Sequence, residues 1–152
     1  MPSLERLVRS VEEMEALGQK LAPQVGKWRL MYLRGPLGAG KTTLVRGILR
    51  GLGHAGAVKS PTFTLVEPYT FGHQHFFHFD LYRLNDPGEL EFLGVRDYLD
   101  GKGVCVVEWA ERAQGVLPSP DVDIMIEPTE TGRMVRITTL TPDGDALQEV
   151  LK

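Results

Sequence analysis

The fold is decided by residues 28–52, which read WRLMYLRGPLGAGKTTLVRGILRGL. A strand-like apolar run at 28–33 leads into the glycine-rich segment 35–42, which fits the pattern Gly-x4-Gly-Lys-[Ser/Thr]. Glycine adopts backbone angles that other residues avoid, so such a loop can turn several N–H groups into one hollow where phosphate oxygens bind. A helix-like stretch follows at once. The order strand, loop and helix therefore predicts a nucleoside triphosphate site.

Two side chains of this segment carry the predicted phosphate chemistry. Lys41 is expected to reach the β- and γ-phosphates, and the Thr42 hydroxyl to ligate Mg²⁺. The helix that follows adds the positive end of its dipole. Its apolar residues recur at helical spacing, at Leu44, Val45, Ile48, Leu49 and Leu52. The alternative to a triphosphate site is an ordinary glycine turn with Lys41 exposed to water, but that interpretation does not explain the run of small residues.

Composition bounds the class of protein. The 152 residues are 42% hydrophobic and 24% charged, which suits one soluble domain spanning 1–152. No apolar run reaches membrane-spanning length, the first residues lack the features of a secretory signal, and a single cysteine excludes an intrachain disulfide. These features favour a cytoplasmic protein with no membrane partner. The net charge of −3 disfavours unaided binding of nucleic acid, so any contact with RNA is expected to be indirect.

Hydrophobic periodicity predicts an α/β fold, and the loop motif makes that fold resemble the P-loop nucleotide hydrolases. We expect three layers: a central, mainly parallel sheet with antiparallel strands at its margins, and helices on both faces. The almost wholly apolar run 103–107 is typical of a strand buried on both faces. Further strands are predicted at 4–9, 28–33, 63–67, 75–81, 121–127 and 134–140. Helices are predicted after the capping-box pattern at 10–13, after the loop, and at 87–93 and 95–99.

Two acidic residues end apolar strands and are candidates for the metal site. Glu108 follows the purely apolar run, so we favour it for a direct or water-mediated contact with Mg²⁺. Asp80 follows a second apolar run and could orient the Thr42 hydroxyl, hold a metal-bound water or position the attacking water. The alternative is that each carboxylate caps its strand or pairs with Arg83 or Arg112. For Asp80 both interpretations stay open.

Three further features each have a functional and a structural interpretation. The segment 60–63, which presents Thr62, could sense the γ-phosphate or could be a simple Ser/Thr-Pro turn. Trp109 is either a core aromatic residue or a lid over the nucleotide, and its place after Glu108 favours the lid. Cys105, in an apolar run, is expected to be a buried hydrophobe rather than a nucleophile.

Histidines cluster in the middle of the chain and raise the question of a zinc site. His73 and His75 flank a turn, and His78 lies two residues before Asp80. No cysteine or acidic cluster completes a tetrahedral set of ligands, so zinc is disfavoured.

Four motifs in order resemble one family. The motifs are GPLGAGKTTL at 35–44, SPTF at 60–63, HFDLYRL at 78–84 and VEW at 107–109. Together they are similar to the TsaE (YjeE) family, the bacterial P-loop ATPases of tRNA threonylcarbamoyladenosine synthesis. ELEFLG at 89–94 and GVLP at 115–118 are also family-like. Pro36 stands where an acidic residue is common in the family, and the first 28 residues and the tail beyond Glu127 match loosely.

The resemblance implies an activity and a set of partners. Family members bind ATP and Mg²⁺, hydrolyse ATP weakly and mainly within a complex, and act with TsaD and TsaB, which modify adenosine 37 of tRNA. ATP turnover is thought to reset that complex between rounds, and contact with tRNA is only indirect. The implied nucleotide-binding residues are Gly38, Ala39, Gly40, Lys41, Thr42, Thr43, Trp109, Gly132 and Arg133. The implied metal residues are Thr42 and Glu108, and the implied catalytic residues are Lys41, Thr62, Asp80 and Glu108.

Two other functions use the same loop. A small-molecule kinase is the main alternative, although it needs an acceptor pocket and an arginine-bearing lid for which this chain leaves little room. A GTP-operated switch is less favoured because the guanine-reading element Asn-Lys-x-Asp is absent from the sequence.

Overall fold

A computed structural model describes residues 3–61 and 63–151. The strands are β1 Ser3–Val8, β2 Leu30–Arg34, β3 Val66–Phe71, β4 Gln74–Asp80, β5 Gly103–Glu108, β6 Val122–Pro128 and β7 Arg133–Thr139. The helices are α1 Val11–Val25, α2 Lys41–Gly51, α3 Gly88–Leu93, α4 Val95–Tyr98 and α5 Pro142–Leu151, with a 3₁₀ turn at Ala110–Ala113.

The strands form one mixed seven-stranded sheet in the order β1-β7-β6-β2-β5-β4-β3. β2 lies in the middle, parallel to β5 on one side and to β6 on the other, and β4 runs parallel to β5. β1, β7 and β3 pair antiparallel with their neighbours at the two margins. The predicted parallel core with antiparallel margins is confirmed, and the carboxyl ends of β2, β4 and β5 meet at one edge.

Side chains alternate across the sheet and bury two cores, as the period of a strand requires. Val104 and Val106 of β5 pack in the core beneath α1, α2 and α5. Cys105 and Val107 of the same strand pack in the core beneath α3 and α4. The expected burial of this strand on both faces is confirmed, with helices covering each side.

Helix α1 begins as the capping-box pattern predicts. Ser10 is the N-cap, and its hydroxyl accepts from the backbone N–H of Glu13 at 3.1 Å. The Glu13 carboxylate accepts from the N–H of Arg9, one residue before the cap, at 2.5 Å. The side chains expected on the apolar face are buried, namely Met14, Leu17, Leu21 and Val25.

Glycines let α1 lie directly against α2. A Cβ atom on Gly47 would come within 2.3 Å of the Glu15 carbonyl oxygen, and one on Gly18 within 2.5 Å of the Leu44 oxygen. Such approach between backbones is open only to residues without a side chain. The contact fixes α2, and with it the start of the helix behind the loop, against the N-terminal helix.

Two parts of the predicted secondary structure were wrong. The strand expected at 63–67 begins only at Val66, because the Leu65 N–H closes a turn on the Pro61 oxygen at 2.8 Å and Leu65 takes a left-handed φ of 69°. Helix α5 was not predicted. Its start carries the ordinary signals, since Thr141 accepts from the Gly144 N–H and Pro142 occupies the first turn, but Gly144 lowers the helical propensity.

Across residues 3–61 and 63–151, no helix has the length and apolar character needed to cross a bilayer.

Candidate functional site

The glycine-rich loop leaves the carboxyl end of β2 and enters α2. Gly35, Gly38 and Gly40 have φ angles of 148°, 79° and 108°, in the region that side chains disfavour. A Cβ on Gly35 would also meet the Ile126 oxygen at 2.6 Å. The first backbone N–H groups of a helix lack intrahelical partners, and those of α2 therefore point into the loop. Backbone and helix end together form the hollow that the motif predicts.

Lys41 lies across this hollow with its ammonium inside the protein. The side chain is 6% exposed, and Nζ donates to the Gly35 carbonyl oxygen at 2.7 Å. Nζ also lies 3.6 Å from Oε1 of Glu108 and 4.3 Å from the centroid of the Trp109 ring. A buried cation costs free energy unless it is paired, and here an oxygen, a carboxylate and an aromatic face surround it.

The two candidate carboxylates are neighbours at the ends of adjacent parallel strands. Asp80 of β4 stands directly opposite Glu108 of β5. Asp80 and Glu108 lie an even number of residues after Phe76 and Val106, apolar residues on the face of the sheet that packs against α1 and α2. Side chains alternate along a strand, so both carboxylates project toward the loop. Both are buried, and Asp80 Oδ1 accepts from the Tyr82 N–H at 3.0 Å. The sheet thus brings together two acids that lie far apart in the chain.

His78 completes the group and was missed as a site residue. Its ring is fully buried, and Nε2 lies 2.5 Å from Oε2 of Glu108. His78 lies two residues before Asp80, so strand periodicity places both on one face, which was the available signal. His75 points to the other face, where its ring stacks on Phe77 at 5.7 Å. The histidines that suggested zinc therefore face opposite sides of the sheet.

Trp109 has a strained backbone at the edge of the site. Its φ of 60° lies in the left-handed region, a conformation that costs a non-glycine residue about 1–3 kcal/mol. The half-buried ring packs partly on the core beneath α3 and α4 and lies 5.0 Å from the ring of Tyr82. The same ring covers the Lys41 ammonium. Trp109 therefore packs partly as a core residue beside the loop, and its role as a lid over a nucleotide stays a prediction.

Two hollows adjoin the loop, one on each side. One, of about 340 Å³, is lined by Leu37, Gly38, Gly40, Lys41, Thr42, Thr43, Ser60, Asp80, Glu108 and Trp109. The other, of about 310 Å³, is lined by Val8, Arg9, Ser10, Val11, Met14, Gly38, Ala39, Gly40, Thr43, Gly132 and Arg133. The first contains every described acid and hydroxyl group predicted for phosphate and metal, and the second is the more apolar of the two.

The β6–β7 hairpin is held against the loop and frames the second hollow. Nε of Arg133 donates to the Ala39 oxygen at 3.2 Å. A Cβ on Gly132 would approach the Val8 oxygen to 2.2 Å, so glycine allows the hairpin to touch the end of β1. Three segments distant in sequence thereby meet beside the phosphate loop.

A family model described as threonylcarbamoyl adenosine biosynthesis protein TsaE matches residues 8–135. The chain belongs to the TsaE family. The matched range includes the loop, Asp80, Glu108 and the hairpin at Gly132–Arg133. The family model therefore spans the residues that the fold gathers around the loop.

Relatives from several bacteria that are named as TsaE proteins match this chain over most of their length. The protein named tRNA threonylcarbamoyladenosine biosynthesis protein TsaE from Haemophilus influenzae is 44% identical over 149 residues, or 95% of this chain and 94% of that one. A TsaE protein from Bacillus subtilis is 40% identical over 134 residues, or 88% and 82% of the two chains. The crystal structure of YdiB from Bacillus subtilis matches with a TM-score of 0.80 at 30% identity, covering 99% of this chain and 94% of that one. A solved structure thus shares the α/β fold of this TsaE chain.

The predicted site residues that the structure describes fall into three groups, according to the hollow that each one lines. Lys41, Thr42, Asp80, Glu108 and Trp109 line the first hollow, whereas Ala39, Gly132 and Arg133 line the second. Gly38, Gly40 and Thr43 line both. Thr62 lies outside the residues that the structure describes, so its role stays a prediction.

The arginines proposed as plain partners of the acids have aromatic neighbours. The Arg83 guanidinium lies 4.4 Å from the centroid of Phe63, and that of Arg112 lies 5.2 Å from the centroid of Tyr82. Glu108 instead contacts Lys41 and His78. The plain interpretation, in which an arginine on the surface neutralises Glu108, is therefore not what the fold provides.

Cys105 is the buried hydrophobe that its apolar run predicts. Burial raises the pKa of its thiol to about 12, since an apolar environment disfavours the thiolate. Its sulfur donates to the Tyr98 oxygen at 3.3 Å on the face away from the loop. A protonated and enclosed thiol is a poor nucleophile.

Proposed function

We propose that this chain is a magnesium-dependent ATPase that serves tRNA threonylcarbamoyladenosine synthesis as a subunit acting with TsaD and TsaB. The observation that carries the proposal is the buried ammonium of Lys41. It bonds to Gly35 at the start of a loop whose glycines have positive φ angles, and Lys41 lines the first of the two hollows beside that loop. A buried lysine beside a helix start and a carboxylate is what binding of a triphosphate requires.

The phosphate chain would lie along the loop and the first turn of α2. Backbone N–H groups there offer several donors at fixed positions, and the helix dipole favours negative charge. The ammonium of Lys41 has a single carbonyl bond at 2.7 Å and a longer contact of 3.6 Å to Glu108. An ammonium has three donor hydrogens, so the γ-phosphate would take the place of Glu108 as a partner of Lys41 while the bond to Gly35 stays.

The donor set of the first hollow fits Mg²⁺. The ion prefers oxygen ligands and keeps several waters, and this hollow offers the Thr42 hydroxyl and two neighbouring carboxylates. Thr42 and Glu108 would hold the ion, directly or through its water. When bound, Mg²⁺ neutralises charge on the phosphates. Asp80, fixed by its bond from the Tyr82 N–H, would orient the attacking water or the Thr42 hydroxyl.

The second hollow would take the base and sugar. It adjoins the first through Gly38, Gly40 and Thr43, so a nucleotide can continue from one into the other. Its walls include Val8, Val11 and Met14, which suit the flat face of a base. We favour ATP over GTP because the chain lacks an Asn-Lys-x-Asp element.

Slow hydrolysis by the isolated chain is part of the proposal. Rapid phosphoryl transfer usually needs an arginine that neutralises charge in the transition state. Arg83 and Arg112 lie on the rings of Phe63 and Tyr82. Partner proteins would then set the rate, and ATP turnover would reset the complex in the cytoplasm without direct contact with tRNA. The relatives' names, which place them in this biosynthesis, and the net charge of −3 support that assignment.

Replacing Lys41 tests the nucleotide site. Lys41→Ala should weaken binding of a fluorescent ATP analogue by about 100-fold, because a charged donor to phosphate is lost. Lys102→Ala, at an exposed lysine beyond the other end of β5, is the matched control. Equal affinity for Lys41→Ala and the control would refute the loop assignment.

The assignment of partners needs a separate test. Tagged TsaD and TsaB should retain this chain in a pull-down, and the amount retained should depend on whether ATP is present. Failure to co-purify with and without ATP would remove the partners from the proposal while leaving the nucleotide site intact.

A further inference from the structure

His78 is a buried histidine directly behind the proposed metal carboxylate. Its ring is fully buried, and its Nε2 lies 2.5 Å from Oε2 of Glu108, whereas Oε1 of the same carboxylate faces Lys41 at 3.6 Å. We infer that His78 is a positioning residue, which holds one oxygen of Glu108 so that the other is aimed at the magnesium of the nucleotide. The inference rests on the proposed ATPase function.

The direction of the hydrogen bond follows from the partners. Glu108 faces an ammonium and is a carboxylate there, so its oxygens only accept, and Nε2 of His78 must be the donor. Nδ1 on the far side of the ring is buried and has no partner among the described residues. The hydrogen on Nε2 is therefore the one that the ring presents to Glu108.

The surroundings show that a polar residue is not needed here for packing. Before Asp80 and Glu108, the neighbouring side chains on the same face of β4 and β5 are fully buried and apolar: Phe76, Val104 and Val106. A buried ring with an unpartnered nitrogen costs stability that an apolar residue of similar size would not. Among the residues that the structure describes, the hydrogen-bond partner of the ring is Glu108, and that contact is what His78 adds.

Holding one oxygen leaves the other for the ligand. In this structure Oε1 of Glu108 faces Lys41, and Lys41 is the group that a γ-phosphate would attract. Once Lys41 turns to the phosphate, Oε1 remains in the hollow with Thr42 and Asp80, while His78 prevents the carboxylate from rotating. Partners behind a metal ligand that fix its orientation act in this way in many metal sites.

Three substitutions separate the position of the donor from the volume of the ring. In His78→Gln the amide nitrogen lies the same number of bonds from the backbone as Nε2, so the donor to Glu108 is kept. In His78→Asn the amide nitrogen corresponds to Nδ1 and falls short of Glu108. His78→Met fills the space without a donor. Gln and Asn form the matched pair, since both place an amide in the same buried site.

The readout is the affinity for Mn²⁺ of the protein bound to a non-hydrolysable ATP analogue, whose γ-phosphate would draw Lys41 away from Glu108. Electron paramagnetic resonance of the free ion measures this affinity. We expect His78→Asn and His78→Met to weaken Mn²⁺ binding by about 10- to 100-fold and His78→Gln to stay within about threefold of wild type. Affinity for the ATP analogue measured in EDTA should change by less than about twofold in all three, because the loop and Lys41 are untouched.

Two results would overturn the inference alone. One is unchanged Mn²⁺ affinity in all variants, and the other is an equal loss for Gln and Asn, which would indicate a packing role. The Gln and Asn pair decides the matter even if His78→Met does not fold. Wild-type protein that binds no Mn²⁺ with the ATP analogue would instead refute the proposed function on which the inference rests.

Discussion

Two carboxylates at opposite ends of the parallel core have very different surroundings. Asp121, just before β6, accepts from the backbone N–H groups of Arg29 and Leu30 at 2.8 and 3.2 Å, and from the Thr141 hydroxyl at 2.8 Å. Glu108, at the far end of β5, faces two ionisable side chains, Lys41 and His78, and borders an open hollow.

The difference separates a structural acid from a candidate functional one. Two of the three donors to Asp121 are backbone N–H groups, so its bonds tie the start of β2 to the junction before α5. The partners of Glu108 are side chains, and under the proposed function Lys41 would leave it to a metal ion. A buried acid whose partners are side chains beside a cavity is a better site candidate than one saturated by the main chain.

Asp121→Ala should give the largest effect, and it should be on stability. Loss of the acceptor for three donors is expected to lower the free energy of unfolding by about 3 kcal/mol, measured by urea denaturation. Nucleotide affinity of the folded protein should not change. Asp100→Ala, at an exposed acid, is the control. A drop in nucleotide affinity with unaltered stability would reverse the comparison.

Glu108→Gln should act on chemistry instead. We expect magnesium-dependent ATP hydrolysis to fall by about 100-fold, because a carboxylate at the metal is replaced by a weaker neutral ligand. Binding of ATP in EDTA should fall far less. Glu111→Gln, whose side chain is 51% exposed, controls for loss of a nearby acid. Equal losses in hydrolysis and in metal-free affinity would argue against a metal role for Glu108.

Asp80→Asn should slow turnover by about tenfold and leave nucleotide binding nearly intact. The amide oxygen of asparagine can still accept from the Tyr82 N–H, so the backbone after β4 should keep its shape. Single-turnover hydrolysis measures the effect. An unaltered rate would assign Asp80 to structural support, like Asp121.

Thr141→Val should give the smallest effect. It removes the hydroxyl that donates to Asp121 and accepts from the Gly144 N–H at the start of α5. The expected loss is about 1 kcal/mol of unfolding free energy, with Thr141→Ser restoring most of it. If serine did not restore stability, the contribution of Thr141 would come from its methyl group.

Much of the architecture could be read from the chain because periodicity is a local property. The capping box at Ser10, the loop at 35–42 and the apolar run in β5 each predicted their element. The strand predicted at 63–67 was wrong because Leu65 adopts a left-handed φ. No local pattern of side chains indicates that conformation. Helix α5 was missed because Gly144 and acidic residues hid an N-cap and a first-turn proline that were present.

The glycine-rich loop, the α/β class of the fold and the two candidate acids could be predicted from the amino-acid sequence, because each prediction rests on residues close together in the chain. The folded sheet alone shows that Asp80 and Glu108 stand in register, that His78 contacts Glu108, and that the hairpin at Gly132 reaches the loop. Those relations depend on which strands are neighbours and on the register between them. Strand pairing joins residues distant in sequence, so the geometry of the site had to come from the folded sheet.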